Sequence, residues 1–236
     1  MDRFIRVELR RDNLDIYCIR TAIFRAVDDA AKHMHGTLLD IGCGKMPYKE
    51  HIMKTSKLSS YVGLDIDTAL QYDAVVKPDF FWDGKQMPFE ENHFDCAMAT
   101  EVLEHCPDPL VVMKETFRVL KPGGFMFGTI PFLWPLHEVP HDEYRYTPFA
   151  LRRLFQEAGY ERIEIHATGG WHASMAQMLG LWMKRSPLPA RFKRWAPRIL
   201  MPIYKKLLKM DRPPSDFSES TMITGLKVMA YKPLVS

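Results

Sequence analysis

A short apolar run, Leu38-Leu39-Asp40-Ile41, passes directly into Gly42-Cys43-Gly44, and a second, Tyr61-Val62-Gly63-Leu64, ends on Asp65, 21 residues beyond Gly44. This pairing leaves few folds open. A strand that breaks into Gly-x-Gly lets the backbone turn sharply and uncovers main-chain N–H groups that a side chain would otherwise shield. An acid closing the next strand of a βαβ unit at this interval meets the hydroxyl pair of a ribose. The expectation is an adenosine-containing cofactor at the carboxyl ends of parallel strands.

The residues around the glycines narrow that cofactor. A dinucleotide fingerprint places a third glycine three residues after the second, but here Lys45 and Met46 lead to Pro47. Asp40, two residues before Gly42, would repel a pyrophosphate and attract an ammonium group. S-adenosylmethionine offers an α-ammonium for a carboxylate and an α-carboxylate for loop N–H groups and a helix N-terminus. Pro47 suits the first position of that helix.

Further segments fall in the same order. Ala74 to Lys77 reads as a third strand, and Asp83-Gly84 after it supplies an acceptor for an adenine amino group beside a residue that permits close approach. Phe94 to Ala99 reads as a fourth, buried strand, with Thr100-Glu101 leaving its carboxyl end, where open α/β sheets bind their ligands. Leu110, Met113, Phe117 and Leu120 recur at helical spacing within Pro107 to Leu120. Pro122-Gly123-Gly124 then precedes a fifth strand, Phe125 to Ile130.

The series LLDIGCG, YVGLDID, DGKQMPF, FDCAMATEVLEH and FRVLKPGG, over about residues 36 to 131, resembles the motif ladder of class I S-adenosylmethionine-dependent methyltransferases of the type 11 kind. The resemblance implies an α/β, Rossmann-like fold: a seven-stranded, mostly parallel sheet with helices on both faces, its last strand antiparallel. It implies that Asp40, Gly42 and Gly44 hold the methionine portion, Asp65 the ribose and Asp83 the adenine. Cys43, Ile66, Gly84, Thr100 and Glu101 neighbour these positions and are expected on the same cleft. Lys45-Met46 departs from the family, which more often has a small residue and a glycine there.

The 236 residues, 47% of them hydrophobic, suffice for one α/β domain with a full core. The reading is one domain over 1–236: a helical cover at 1–35, the cofactor core at 36–170, a basic helical lid or insertion at 171–220 and the last strand at 221–236. Within the cover, Asn13 to Met34 reads as a helix capped by Asn13, lying either over the cofactor cleft or simply on the sheet. Cys18, Cys43, Cys96 and Cys106 show no paired spacing, which fits a reducing cytoplasm. Charges interrupt the first nine residues, and no apolar run reaches transmembrane length.

A sulfonium methyl group is already activated, so transfer chiefly requires an aligned acceptor, plus a base where the acceptor carries a proton. Candidates are His105, His137, His141 and Asp142. The last three sit in Pro131 to Pro148, whose pattern H-x-x-P-x-D-x-x-R-Y-T (His137, Pro140, Asp142, Arg145, Tyr146, Thr147) resembles a run in bacterial methyltransferases of surface-polysaccharide and other glycan pathways. Tyr144, Arg145 and Trp171 are candidates for the acceptor. Each has a plainer alternative: Thr147-Pro148 as the cap of a helix from Phe149 to Ala158, Arg145 as a tie to Asp142 or Glu143, and His105 as a brace. His137 and His141 are four apart, a ligand spacing on a helix, but Pro135 and Pro140 predict an irregular loop, and no metal is expected.

The C-terminal third changes character. Trp182 to Met210 holds nine Lys or Arg and no acid, against 23 basic and 29 acidic residues in the rest of the chain. Prolines at 187, 189, 197 and 202 predict short helices. Their aromatic and aliphatic residues suit a lid over the substrate cleft or contact with an anionic membrane surface. Nucleic acid is not expected as a partner, since the remaining surface is acidic. Glu161 to His166 and Thr224 to Lys232 read as the strands flanking this insertion, and Gly169-Gly170-Trp171-His172 as the opening of a helix. The favoured reading is O-methylation of a sugar hydroxyl in a glycan or glycolipid precursor by a cytoplasmic enzyme, peripheral to the membrane if the basic segment binds it. The alternatives are a methyltransferase for a quinone-like or secondary-metabolite acceptor, and a non-catalytic S-adenosylmethionine-binding partner protein.

Overall fold

The computed structural model describes residues 4–66 and 76–234. In chain order the elements are α1 (Leu14–Ala31), β1 (His35–Ile41), α2 (Lys49–Thr55), β2 (Lys57–Ile66), β3 (Phe80–Trp82), β4 (Phe94–Thr100), α3 (Pro109–Val119), β5 (Leu120–Pro131), α4 (Pro148–Glu157), β6 (Glu161–Ala167), α5 (Trp171–Arg185), α6 (Ala190–Met210) and β7 (Gly225–Tyr231), with a 3-10 turn at Leu103–His105. The seven strands form one sheet in the order β3-β2-β1-β4-β5-β7-β6. β1 pairs in parallel with β2 and β4, β2 with β3 and β4 with β5.

The last strand runs the other way. The Gly123 N–H donates to Lys232 O and the Lys232 N–H to Gly124 O, so the end of β7 lies beside the start of β5. This mutual exchange belongs to an antiparallel pair, and the mixed, mostly parallel sheet matches the expected class I architecture. Leu38, Leu39, Phe94, Met98 and Met126 are sealed from solvent on the central strands. Burial of each such side chain contributes about 1.5–3 kcal/mol.

Chain contacts divide the molecule into two units: Met1–Arg25, Phe132–Pro135 and His166–Leu226 in one; Ala26–Pro131, Leu136–Ile165 and Lys227–Ser236 in the other. In the first, α5 and α6 pack together with the start of α1 around Leu14, Ala176, Met183, Ala196 and Tyr204. The Tyr204 hydroxyl donates to Leu14 O at 3.0 Å. Gly180 makes the approach possible, because a Cβ there would lie 2.1 Å from the same carbonyl.

Several boundaries differ from the sequence reading. The third strand is Phe80–Trp82; residues 76 and 77 are outside it, and Ala74 and Val75 lie outside the described residues. β3 pairs in parallel with the carboxyl end of β2, Asp65 opposite Phe81. The helix expected from Pro107 begins at Pro109, because the Asp108 carboxylate accepts the Leu110 and Val111 N–H groups and so caps it. β5 starts at Leu120, ahead of Pro122, with an irregular register opposite β4 between Phe94 and Cys96.

Asn13 does not cap α1 with its side chain as expected. Its Oδ1 accepts the Arg10 N–H and its Nδ2 donates to Glu8 O, so it fastens the preceding turn. Pro187 and Pro189 separate α5 from α6 as expected, whereas Pro197 and Pro202 lie inside one 21-residue helix. Propensity disfavours interior proline, and here the packing of Ala196, Pro197 and Tyr204 overrides it.

Candidate functional site

The carboxyl ends of β1, β2 and β4 open into a cavity of about 610 Å³ within the second unit. Gly42 turns at φ +62°, and a Cβ there would lie 2.7 Å from Val102 Cγ2, so only glycine fits without displacing the opposite wall. Asp65 leaves β2 with Oδ2 accepting the Gly44 N–H and Oδ1 accepting its neighbour Ile66 N–H, both at 2.9 Å. One side chain thus joins the glycine loop to the acidic strand end. Burial raises the Asp65 pKa from its ordinary value, an effect those two N–H groups oppose.

Gly42, Asp65, Ile66, Glu101, His105 and His141 all line this cavity. They were legible in the sequence, and Trp82, Val102 and Glu138 join them on its walls. Trp82 was overlooked although it sits one residue before a motif acid, and Glu138 although it lies between two candidate histidines. Cys43 is buried under the loop, its N–H donating to Leu64 O, and burial pushes its thiol pKa up. Thr100 is opposite Thr129 in the β4–β5 ladder. All four cysteines are free thiols.

Two residues expected at the cofactor, Asp40 and Asp83, do not line this cavity. Asp40 is 3% exposed and its carboxylate accepts the Tyr61 hydroxyl, so it supports the loop from beneath rather than facing the cavity. Burial pushes its pKa up to about 7, opposed by the Tyr61 hydrogen bond. Asp83 folds back to accept the Lys85 and Gln86 N–H groups. It lines a neighbouring depression with Phe80, Gln86 and Phe89, while Gly84 turns at φ +78° with open space around it. The Asp83 carboxylate competes for local amides that a short loop cannot otherwise satisfy.

The loop after β5 is irregular, as its prolines predict, and fastens to the 3-10 turn. Glu143 and Tyr144 N–H groups both donate to Glu104 O, and the Tyr144 hydroxyl donates to Pro107 O. Arg145 grips Asp142 with two guanidinium nitrogens at 2.7 and 2.8 Å, holding that carboxyl well below the usual carboxylate range. Asp142 in turn accepts the His137 backbone N–H and lies 3.3 Å from His137 Nδ1. Arg145 is therefore the tie to Asp142, and Thr147 the cap of α4 through the Ala150 N–H. The His105 and His137 rings meet edge to face at 4.7 Å. Trp171 lies in the first unit, where it lines a depression with Met210, Arg212 and Ser220.

S-adenosylmethionine fits this arrangement. The cradle at Gly42 admits main-chain approach, Asp65 supplies carboxylate oxygens, and Ile66, Trp82 and Val102 offer apolar faces for a base. The methyltransferase domain family model matches residues 39–128. Among curated proteins, a sterol 24-C-methyltransferase of Aspergillus fumigatus is 38% identical over 110 residues, spanning 41% of this chain and 28% of that protein. A demethylmenaquinone methyltransferase of Staphylococcus haemolyticus is 31% identical over 123 residues, spanning 39% and 52% respectively. The chain thus covers between about a quarter and a half of the curated relatives it matches. A solved S-adenosylmethionine-dependent methyltransferase from Thermotoga maritima shares the fold with a TM-score of 0.56 at 15% identity, over 92% of both chains. Residues 39–128 are thus similar to the methyltransferase domain family, and the chain carries the Rossmann-like class I fold.

Proposed function

We propose that this protein transfers the methyl group of S-adenosylmethionine to a hydroxyl oxygen of a small acceptor, with a sugar hydroxyl of a glycan or glycolipid precursor as the favoured substrate. One observation carries the reading: a single cavity is lined by Gly42 and Asp65 together with His105, His141 and Glu138. The cofactor supplies an electrophilic methyl group when bound. Asp65 then holds the ribose, and Gly42 lets the cofactor approach the loop backbone.

The remaining residues act on the acceptor. Its hydroxyl proton passes to an imidazole or carboxylate within hydrogen-bond reach, and His105 and His141 stand at the cavity wall for that role. The His105 Nδ1 lies 3.0 Å from His141 O, so its Nε2 is the nitrogen left for the proton. His137 and Asp142 are set behind it by Arg145. The resemblance of the 137–147 loop to glycan methyltransferases supports the sugar.

A second reading keeps the chemistry and changes the acceptor to a quinol or other lipophilic molecule. It rests on the apolar walls formed by Ile41, Ile66, Trp82, Val102 and Val112 and on the demethylmenaquinone and sterol methyltransferase relatives. Incubation with methyl-labelled S-adenosylmethionine and separate polar and lipid extracts distinguishes them. Label in a saccharide, with S-adenosylhomocysteine released, is the expected result. Label in a lipid-soluble quinol replaces the sugar, and cofactor binding without turnover in either extract marks a non-catalytic binding protein.

The exposed side of α6 gives the localisation reading. Phe192, Trp195, Ile199 and Ile203 are exposed among Arg191, Arg194, Arg198 and Lys206. Among the described residues no helix is long and apolar enough to cross a membrane. This face suits peripheral contact with an anionic lipid surface.

A further inference from the structure

Glu104 is the most anomalous side chain in the cavity region. It is 0% exposed, and neither carboxylate oxygen has a hydrogen-bond partner. A buried carboxylate left without partners costs several kcal/mol, so the side chain calls for a ligand. Its backbone is fixed by the amides of Glu143 and Tyr144, which clamp the loop over it.

Two imidazoles stand against it. One ligand atom each from Glu104, His105 and His137 lies within 4.8 Å of the other two. His105 Nε2 is 3.8 Å from Glu104 Oε1. One nitrogen of each ring is already directed: His105 Nδ1 to the carbonyl of His141 at 3.0 Å, His137 Nδ1 to the Asp142 carboxylate at 3.3 Å. Metal-binding histidines carry this second layer, in which a carbonyl or carboxylate takes one ring N–H and turns the other nitrogen inward. Asp142 is itself locked by the Arg145 fork.

We propose that Glu104, His105 and His137 bind a divalent transition-metal ion at the edge of the cavity. Two imidazoles and one carboxylate select zinc, manganese, iron or cobalt over magnesium and calcium, which favour all-oxygen sites. Ligand bonds of about 2.0–2.2 Å require the three groups to close by less than about 1 Å. The Glu138 carboxylate, 3.9 Å from His105 Nε2, stands beside the open side. The sequence pointed instead to His137 and His141 as the only ligand pair and rejected them for want of a helix. The cluster is assembled across 33 residues of chain, from the 3-10 turn and the loop after β5, and its carboxylate came from a motif read as a cofactor loop.

With the ion bound, His105 Nε2 is a ligand rather than a base; the cation takes over that role by lowering the pKa of an acceptor oxygen, and His141 is left to receive the proton. The ion's existence is independent of the hydroxyl chemistry proposed above. The test is metal binding to the full chain, stripped with chelator and titrated calorimetrically with Zn²⁺, Mn²⁺ and Mg²⁺ without S-adenosylmethionine, alongside the visible spectrum of the Co²⁺ form. One equivalent of Zn²⁺ and of Mn²⁺, with Mg²⁺ at least about 10-fold weaker, is expected. Glu104→Gln and His137→Ala should each weaken Zn²⁺ by about 10-fold or more, with His93→Ala equal to wild type. Thermal unfolding of the metal-free variants confirms that they fold; should Glu104→Gln not fold, His137→Ala and the Co²⁺ spectrum decide. Absence of stoichiometric Zn²⁺ and Mn²⁺ binding, or binding indifferent to Glu104→Gln and His137→Ala, overturns the site. S-adenosylmethionine titration of the same samples separates that result from failure of the methyltransferase reading.

Discussion

The Asp65 carboxylate and the Gly44 amide, 2.9 Å apart, join the glycine loop to the acidic end of β2. With Ile66 N–H on the other oxygen, the carboxylate is committed to the backbone before any ligand arrives. Asp65→Asn places an amide NH₂ against one of these N–H donors. The expected outcome is a rise of about 10-fold or more in the S-adenosylmethionine dissociation constant, by calorimetry, with about 1–3 kcal/mol lost in stability. Unchanged affinity would remove Asp65 from the cofactor site.

Lys232 is the clearest structural counterpart. Its ammonium is drawn into the core, donating to Asn92 Oδ1 at 2.9 Å, Phe117 O at 2.9 Å and Leu120 O at 2.7 Å. The last two are the carbonyl of Phe117, in the last turn of α3 where the helix has no partner for it, and that of Leu120, the residue just after the helix. Lys232→Met fills the space but strands both. A loss of about 2–4 kcal/mol is expected, read as a fall of about 4–12 °C in thermal midpoint, with cofactor affinity intact.

The order of the cleft was legible because its motifs are local: Gly42, Asp65 and Glu101 each sit where one strand ends, and a strand end is visible in sequence. Glu104 was not, because its surroundings are set by tertiary contacts, among them the Glu143 and Tyr144 amides on its carbonyl, which no spacing encodes. Asp83 and Asp40, expected at the cofactor, do not line the cavity for a related reason. A motif names an acid but not its rotamer, and Lys85, Gln86 and Tyr61 took these carboxylates first. Pro197 and Pro202 were read by propensity alone, whereas tertiary packing decides whether a proline ends a helix.

Asp40 makes stability depend on pH. Its pKa of about 7 in the folded chain lies above the ordinary carboxylate value of 3.8 because burial disfavours the charged form. Between those two values the folded state holds a proton that the unfolded state has released. The native state is thus progressively destabilised as pH rises from about 4 to about 7, and the penalty is complete above that. Asp40→Asn keeps an acceptor for the Tyr61 hydroxyl and removes the titration. Relative to wild type, the variant should gain on the order of 2–4 kcal/mol between pH 4 and pH 8. Denaturant unfolding at those two pH values measures it, and a pH-independent difference would contradict the assignment.

The α6 surface makes a prediction that depends on neither cavity nor cofactor. Trp195, Ile199 and Ile203 are 56%, 65% and 51% exposed at four-residue intervals, and Arg191, Arg194 and Arg198 are exposed beside them. Aromatic and aliphatic side chains insert at a lipid interface while clustered cations draw the helix to anionic headgroups, each worth about 1 kcal/mol near the surface. The chain should therefore float with vesicles containing phosphatidylserine at low salt and release as the Debye length shrinks toward about 3 Å at 1 M salt. Trp195→Glu should abolish flotation, because it places a carboxylate where the ring would enter, without touching the Tyr204 and Leu14 contacts that hold α6 in its unit. Failure to float at low salt would show that this face is solvated, and its cations would then serve solubility alone.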